Sequence, residues 1–340
     1  MLRMIQWTPQ RSGIRLCVKV EAPARLHLGF LDLHGGRGRR FGGFGLAIED
    51  IATRLSVTKA TSFSASGPEG ERALKHARNL FARLRLPHAV SIRVFEAIPG
   101  HVGLGSGTQL ALAVGTAIAR LYELSLSTRD IGQMLNRGAR SGVGVGSFDT
   151  GGFVVDGGRG RKDQLPPVIA RLDFPADWRI VLVHDCSGKG LHGAQEVSAF
   201  DALPTFPAER AAHLCRLVLM QILPAIADAQ LDDASHGINE LQTVVGDYFA
   251  PAQGGRFASE AVAAVLTWFE RRGVTGVGQS SWGPTGFALI GSEARAQALI
   301  AEAQVVFDRS AVRLQMVRAR NYGGLVESYQ HAQALSGASL

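Results

Sequence analysis

The sequence predicts an α+β fold of two domains: an N-terminal mixed sheet with helices, and a C-terminal split βαβ, ferredoxin-like sandwich. Three observations carry this. At 340 residues the chain is longer than one small core serves, so two domains are expected. Segments of period-two alternation recur among segments of helical period, which gives both element types. Four glycine-rich connections punctuate them, and three of these lead directly into or out of a strand.

Residues 1–13 read as a loose extension. Residues 14–21 alternate as a strand and run into Ala22-Pro-Ala-Arg-Leu-His-Leu-Gly29, where Arg25, His27 and Asp32 form a charged set near a strand end. Residues 35–45, rich in Gly and Arg, read as a flexible loop able to close over an anion, with Arg37, Arg39 and Arg40 as its cations. Residues 46–48 and 53–58 read as two more strands, and 69–86 as a helix that Pro87 stops.

The chain is organised around residues 99–109. Before them, Val90, Ile92 and Val94 alternate with Ser91 and Arg93 as a strand; after them, residues 110–122 form an apolar helix. Strand, glycine loop and helix N-terminus together make a site for phosphate. The first N–H groups of a helix lack partners and its macrodipole is positive there. Gly103, Gly105 and Gly107 let backbone approach an anion, Leu104 lies between them, and Ser106 and Thr108 add hydroxyls. The spacing fits neither the Walker loop nor the dinucleotide fingerprint. The plain alternative is a tight turn with no ligand.

Ser127 with Asp130 forms a capping box opening a helix that ends at Gly138. Gly142, Gly144 and Gly146 expose backbone ahead of Asp149 and a strand over 153–156. Asp149 reads as a helix cap, as a Mg²⁺ ligand, or as a stabiliser of positive charge. Residues 157–167 read as a hairpin-like connection, and 179–184 as a strand. The glycine loop 185–193 offers Lys189 and His192 to phosphate or carboxylate, with Glu196 just beyond. Helices are expected over 207–223, 232–249 and 259–271. A fourth glycine loop, 274–286, carries Ser281 and Trp282; a strand over 287–290, a helix over 293–307 and a strand over 312–317 follow. The tail from Ser328 is expected to be poorly ordered. The domains are placed at 14–175 and 176–327.

Composition narrows the partners. The formal charge is +7, but only five residues are Lys and the Arg residues are scattered, which favours a small phosphorylated substrate over nucleic acid. Three distant cysteines without a C-x-x-C pair fit free thiols in a reducing cytoplasm. No uncharged apolar run approaches membrane-spanning length, so no membrane partner is expected.

Several of these stretches resemble the GHMP kinase superfamily. Pro99 followed three residues later by Gly103-Leu-Gly-Ser106 is similar to its phosphate loop, and Ala22 to Gly29 to its N-terminal motif. Gly146-Ser-Phe-Asp149 stands where several family kinases carry an acid, and Gly278 to Gly286 resembles the third loop. Two departures speak against ordinary ATP binding: Ser106-Gly-Thr-Gln109 replaces the usual Ser-Ser-Ala, and Trp282 and Pro284 stand where kinases have small residues. The pattern Gly103 to Gly115, with Arg40-Phe-Gly-Gly43 and Gly151 to Gly158, looks like the β-ribofuranosylaminobenzene 5'-phosphate synthases.

That resemblance spans residues 18–325 and implies a two-domain GHMP-kinase-like fold, Mg²⁺, a homodimer and no ATP. It implies condensation of phosphoribosyl diphosphate with 4-aminobenzoate, with loss of CO₂ and diphosphate. Arg25, His27 and Asp149 are then the expected catalytic residues. Residues 103–108, Arg40, Lys189, His192 and Ser281 are expected to bind substrate, with Asp149 and Glu196 as metal ligands. Trp282 or Phe148 would stack on the aromatic acceptor.

Overall fold

The computed structural model describes residues 14–160, 164–186 and 203–332. Its longest strands open the chain: β1 (Ile14–Asp32) and β2 (Phe41–Ala60) pair antiparallel through most of their length. Residues 35–45, expected as a loop, divide: a turn covers the first part, and Gly43 and Gly45 lie within β2. Glycine is required there by space, since a Cβ on Gly45 would sit 2.3 Å from the Leu26 carbonyl oxygen. The two short strands expected over 46–58 are one continuous strand, kinked where Asp50 adopts φ 68°.

β3 (Ser64–Ser66), α1 (Gly70–Leu84) and β4 (Ala89–Glu96) follow, then α2 (Ser106–Leu121), α3 (Thr128–Met134), α4 (Val143–Asp149) and β5 (Phe153–Asp156). The capping box forms as expected: Ser127 Oγ accepts from the Asp130 N–H while the Asp130 carboxylate accepts from the Ser127 N–H. β6 (Val168–Leu172), which the sequence did not suggest, pairs with β5.

The first sheet is closed by the chain's far end. β11 (Leu325–Ala332) pairs antiparallel with β1, from Ile14 opposite Ala332 to Glu21 opposite Leu325. The tail from Ser328 is therefore strand through residue 332, held by ladder bonds. The fully buried Arg320 secures the approach, pairing with Glu21 and donating to the Gly323 carbonyl at 2.8 Å.

The second sheet contains β7 (Arg179–Asp185), β8 (Val277–Gln279), β9 (Gly286–Ile290) and β10 (Val312–Val317), in the antiparallel order β10-β7-β9-β8. That is the split βαβ arrangement, with α8 (Glu260–Glu270) and α9 (Glu293–Val306) packed on it. Between β7 and α8 lie α5 (Ala208–Leu217), a π-helical turn (Val218–Ile222), α6 (Leu223–Ala227) and the 23-residue α7 (Leu231–Gln253). The continuous helical stretch Ala208–Ala227 is long and apolar enough to cross a membrane by composition alone. Here its apolar side, including Leu214, Ile222 and Ile226, is buried in the core.

One core cluster runs between the sheets. Leu26, Leu28 and Phe30 of β1 and Phe153 of β5 meet Leu182, Phe287, Ile238 and Leu241 from the C-terminal half. This seam is where the glycine loops converge.

Candidate active site

Alternation along β1 delivers Arg25 and His27. Leu26 and Leu28 face the seam core, so their odd-numbered neighbours turn to the other face. Register shifts between Pro23 and Arg25, and between His27 and Gly29, bracket both residues and re-aim them. The Arg25 N–H donates to the Leu104 carbonyl at 3.1 Å, and its guanidinium to the Gly103 carbonyl at 2.5 Å. The His27 N–H donates to Ser280 Oγ at 3.0 Å; that hydroxyl donates to the Gly103 carbonyl at 2.8 Å. The Ser281 N–H closes the ring on the His27 carbonyl at 3.1 Å.

β1, the central loop and the C-terminal loop are thus tied backbone to backbone. Glycine makes this approach possible. A Cβ on Gly103 (φ +90°) would lie 2.4 Å from the Ser280 carbonyl oxygen, and one on Gly283 would lie 2.4 Å from the Gly103 nitrogen.

The positive end of α2 opens into the same place. Its N-cap is Gly105 in the left-handed region, no side chain caps it, and its first turn holds no acid. The Thr108 N–H turns back to the Gly105 carbonyl at 3.1 Å, and the N–H groups of Ser106 and Gly107 ahead of it form a positive end suited to an anion. Leu104 anchors the loop by a side chain buried in the seam core.

On the opposite side, a Cβ on Gly43 would meet His27 Nε2 at 2.7 Å, Ser141 Oγ at 3.0 Å and Asp156 Oδ2 at 3.1 Å. Asp156 is fully buried and accepts from the Ser141 hydroxyl at 2.7 Å and the Gly142 and Gly158 N–H groups at 2.9 and 2.8 Å. Burial pushes its pKa above the ordinary value, against the pull of these donors.

His27 is buried with neither ring nitrogen hydrogen-bonded. Burial, and then the Arg25 charge, bring its pKa down to about 3, so the ring is neutral at pH 7. Burial lowers Arg25 to about 10, which leaves it a cation. Beside His27 lies a cavity of about 30 Å³, room for roughly one water. Phe30, Phe249 and Trp282 line it with Ser281. Ring centroids stand 4.8 Å apart for His27 and Phe30, and 4.6 Å for Phe249 and Trp282.

Comparison with known proteins identifies the scaffold. Residues 71–157 match the GHMP kinases N terminal domain, and residues 222–308 the GHMP kinases C terminal domain. The chain is 36% identical over 291 residues to the β-ribofuranosylphenol 5'-phosphate synthase of Archaeoglobus fulgidus, covering 82% of this chain and 89% of that one. The chain belongs to this synthase family of GHMP-type proteins. A synthase of the same name from Methanocaldococcus jannaschii is 32% identical, over 66% of this chain and 76% of its own. The fold is shared more widely. The homoserine kinase of Cytophaga hutchinsonii superposes with a TM-score of 0.63 at 17% identity, covering 95% of this chain and all of that one.

Within this synthase scaffold the expected site residues separate. Arg25, His27, Ser281 and residues 103–108 come together as described. Arg40 lies exposed on the turn before β2, where its Nε donates to the Leu33 carbonyl at 2.9 Å and its guanidinium sits 5.3 Å from the centroid of the Phe41 ring. Asp149 does not join the constellation. It ends α4, five residues or roughly 7.5 Å along the axis from Gly144, which meets Thr108, and its Oδ2 accepts from Thr128 at 2.9 Å. Burial raises its pKa. Phe148 is core, against Gly324, whereas Trp282 lines the cavity. Lys189, His192 and Glu196 lie outside the described residues.

Among the described residues no three His, Cys, Asp or Glu side chains gather as a metal cluster, and Asp156 already accepts from several donors. Asp156, Ser141 and Ser280 are the site residues that sequence reasoning passed over. The only signal for them was adjacency, Asp156 closing a motif already singled out and Ser280 preceding Ser281.

Proposed function

We propose that this protein condenses phosphoribosyl diphosphate with a 4-substituted benzoate, releasing diphosphate and CO₂ and leaving a ribosyl–aryl C–C bond. The observation that carries the reading is the meeting, across Arg25 and His27, of an uncapped helix N-terminus with an aromatic-lined cavity. The first suits a diphosphate and the second an aromatic ring.

The bond changes balance without an added reagent. The C1–O bond to diphosphate breaks and its electron pair leaves with the diphosphate. The ring carbon bearing the carboxylate attacks C1 of the ribosyl cation. The ring–carboxylate bond then breaks, its pair restores aromaticity, and CO₂ departs. No proton moves, in keeping with a His27 held neutral in the site. The α2 amides oppose the charge that develops on the leaving group, and Arg25 holds the neighbouring side of the loop. Binding a ring in the cavity requires the Phe249–Trp282 edge to shift, because the space now holds about one water.

With 4-aminobenzoate the product is 4-(β-D-ribofuranosyl)aminobenzene 5'-phosphate, on a route to tetrahydromethanopterin. The relatives' name, with phenol in place of aminobenzene, supports 4-hydroxybenzoate as a second acceptor. Mg²⁺ belongs to the reading as the diphosphate's counter-ion, as do a homodimer and a cytoplasmic setting. The test is incubation with phosphoribosyl diphosphate, Mg²⁺ and either benzoate, with mass spectrometry of the products beside an ATP arm. The reading expects a C-riboside 5'-phosphate from at least one acceptor. Phosphoryl transfer from ATP to a hydroxyl substrate, with no C-riboside formed, would instead make the chain a small-molecule kinase, the alternative its fold permits.

A further inference from the structure

Arg72 and Arg137 come from distant parts of the chain and converge on Gly107, in the first turn of α2. A Cβ there would lie 3.3 Å from Arg72 Nη2 and 3.4 Å from Arg137 Nη1. Two guanidinium groups therefore share one small space at the positive end of a 16-residue helix that has no first-turn acid. The neighbouring carboxylate, Glu69, is engaged by the other side of Arg72, accepting from Nη1 at 2.8 Å. Arg137 Nε is buried and has no hydrogen-bond partner.

A second observation comes from α1 itself, where His76 stands one turn after Arg72. His76 on α1 is 5% exposed, and its Nδ1 also has no hydrogen-bond partner. Burial first, and then the charges of Arg137, Arg72 and Lys75, bring its pKa down to about 4. Like charges brought together over a helix N-terminus repel unless an anion joins them. A single phosphate would be met by the helix amides. Two cations beyond them suit a longer and more highly charged group.

We infer that Arg72 and Arg137, with the Gly107 turn of α2, form a clamp for the diphosphate of the substrate and hold it as it leaves. The 5'-phosphate then belongs on the Arg25 side of the loop, where Gly105 abuts the Arg25 side chain. This rests on the reaction proposed above for the class of anion, but not for the existence of the site.

The test is equilibrium binding of inorganic diphosphate and, separately, of ribose 5-phosphate to the whole protein and to Arg72→Gln, Arg137→Gln and Arg137→Lys. The clamp predicts that both Gln variants weaken diphosphate at least tenfold and ribose 5-phosphate less than twofold. Arg137→Lys should lose less than Arg137→Gln, and the thermal midpoint of Arg137→Gln should not fall, since a repulsion is relieved. Unchanged diphosphate binding overturns the inference. So does equal weakening of both ligands, or a selective loss of ribose 5-phosphate. The assay needs no turnover: a protein that binds diphosphate here but makes no C-riboside would contradict the reaction and leave the clamp standing.

Discussion

His27 is a histidine whose charge the fold opposes, and that has a consequence for stability. Its pKa is about 3 folded against the ordinary 6.5 unfolded, so between these values the unfolded chain binds more protons. Stability is therefore full above pH 6.5 and is lost as pH falls towards 3, by up to about 1.4 kcal/mol per pH unit for this one group. Denaturation midpoints at pH 7.5, 6 and 5 should fall in that order, and His27→Asn should flatten the slope. An unchanged slope would mean that His27 does not stay neutral. Gly103→Ala is expected to be costly for a different reason: its φ and the Ser280 carbonyl both exclude a Cβ. Moving the loop by about 1 Å should lower kcat/KM by about 10²-fold. At this scale the meeting of Arg25 and His27 with the glycine loop was legible, because a bare backbone beside a cation is a pattern the sequence itself displays. Asp149 misled because an acid in a glycine-rich stretch looks the same whichever end of α4 it occupies. Asp156 went unnoticed because its donors Ser141 and Gly142 reach it only through the fold.

Elements divide in the same way between local and long-range causes. The Ser127–Asp130 box is local and was legible. Ser127→Ala should cost about 1 kcal/mol of stability in denaturant unfolding. β11 was not legible, because its polar sequence, Leu-Val-Glu-Ser-Tyr-Gln-His-Ala, becomes a strand only by pairing with β1. The Arg320–Glu21 pair fastens that return: Arg320 is buried, and the half-buried Glu21 accepts from Arg54 as well, at 2.7 Å. Arg320→Met should destabilise the protein by about 3 kcal/mol. Adding Glu21→Gln to Arg320→Met should then cost less than Glu21→Gln alone, a coupling that a double-mutant cycle measures. Gly43 and Gly45 show the converse error: glycine suggested a loop, yet both sit in β2 because neighbouring atoms leave no room for a side chain.

For the whole molecule, the two sheets share one core, and the candidate site lies where β1 of the first meets the β8–β9 loop of the second. Two-domain α+β architecture followed from length and periodicity, and the split βαβ order β10-β7-β9-β8 agrees with it. The chemistry could not be read from architecture alone, since kinases share this fold. The proposed chemistry rests on an uncapped helix N-terminus meeting an aromatic cavity around a neutral histidine. The most direct test follows the carboxyl carbon. Carboxyl-labelled 4-aminobenzoate or 4-hydroxybenzoate is mixed with phosphoribosyl diphosphate, Mg²⁺ and the protein, without ATP, and labelled CO₂ and diphosphate are counted together. The account predicts that one acceptor releases both in equal amounts. Diphosphate released while the label stays on the ring, or no release of either until ATP is added, would contradict it.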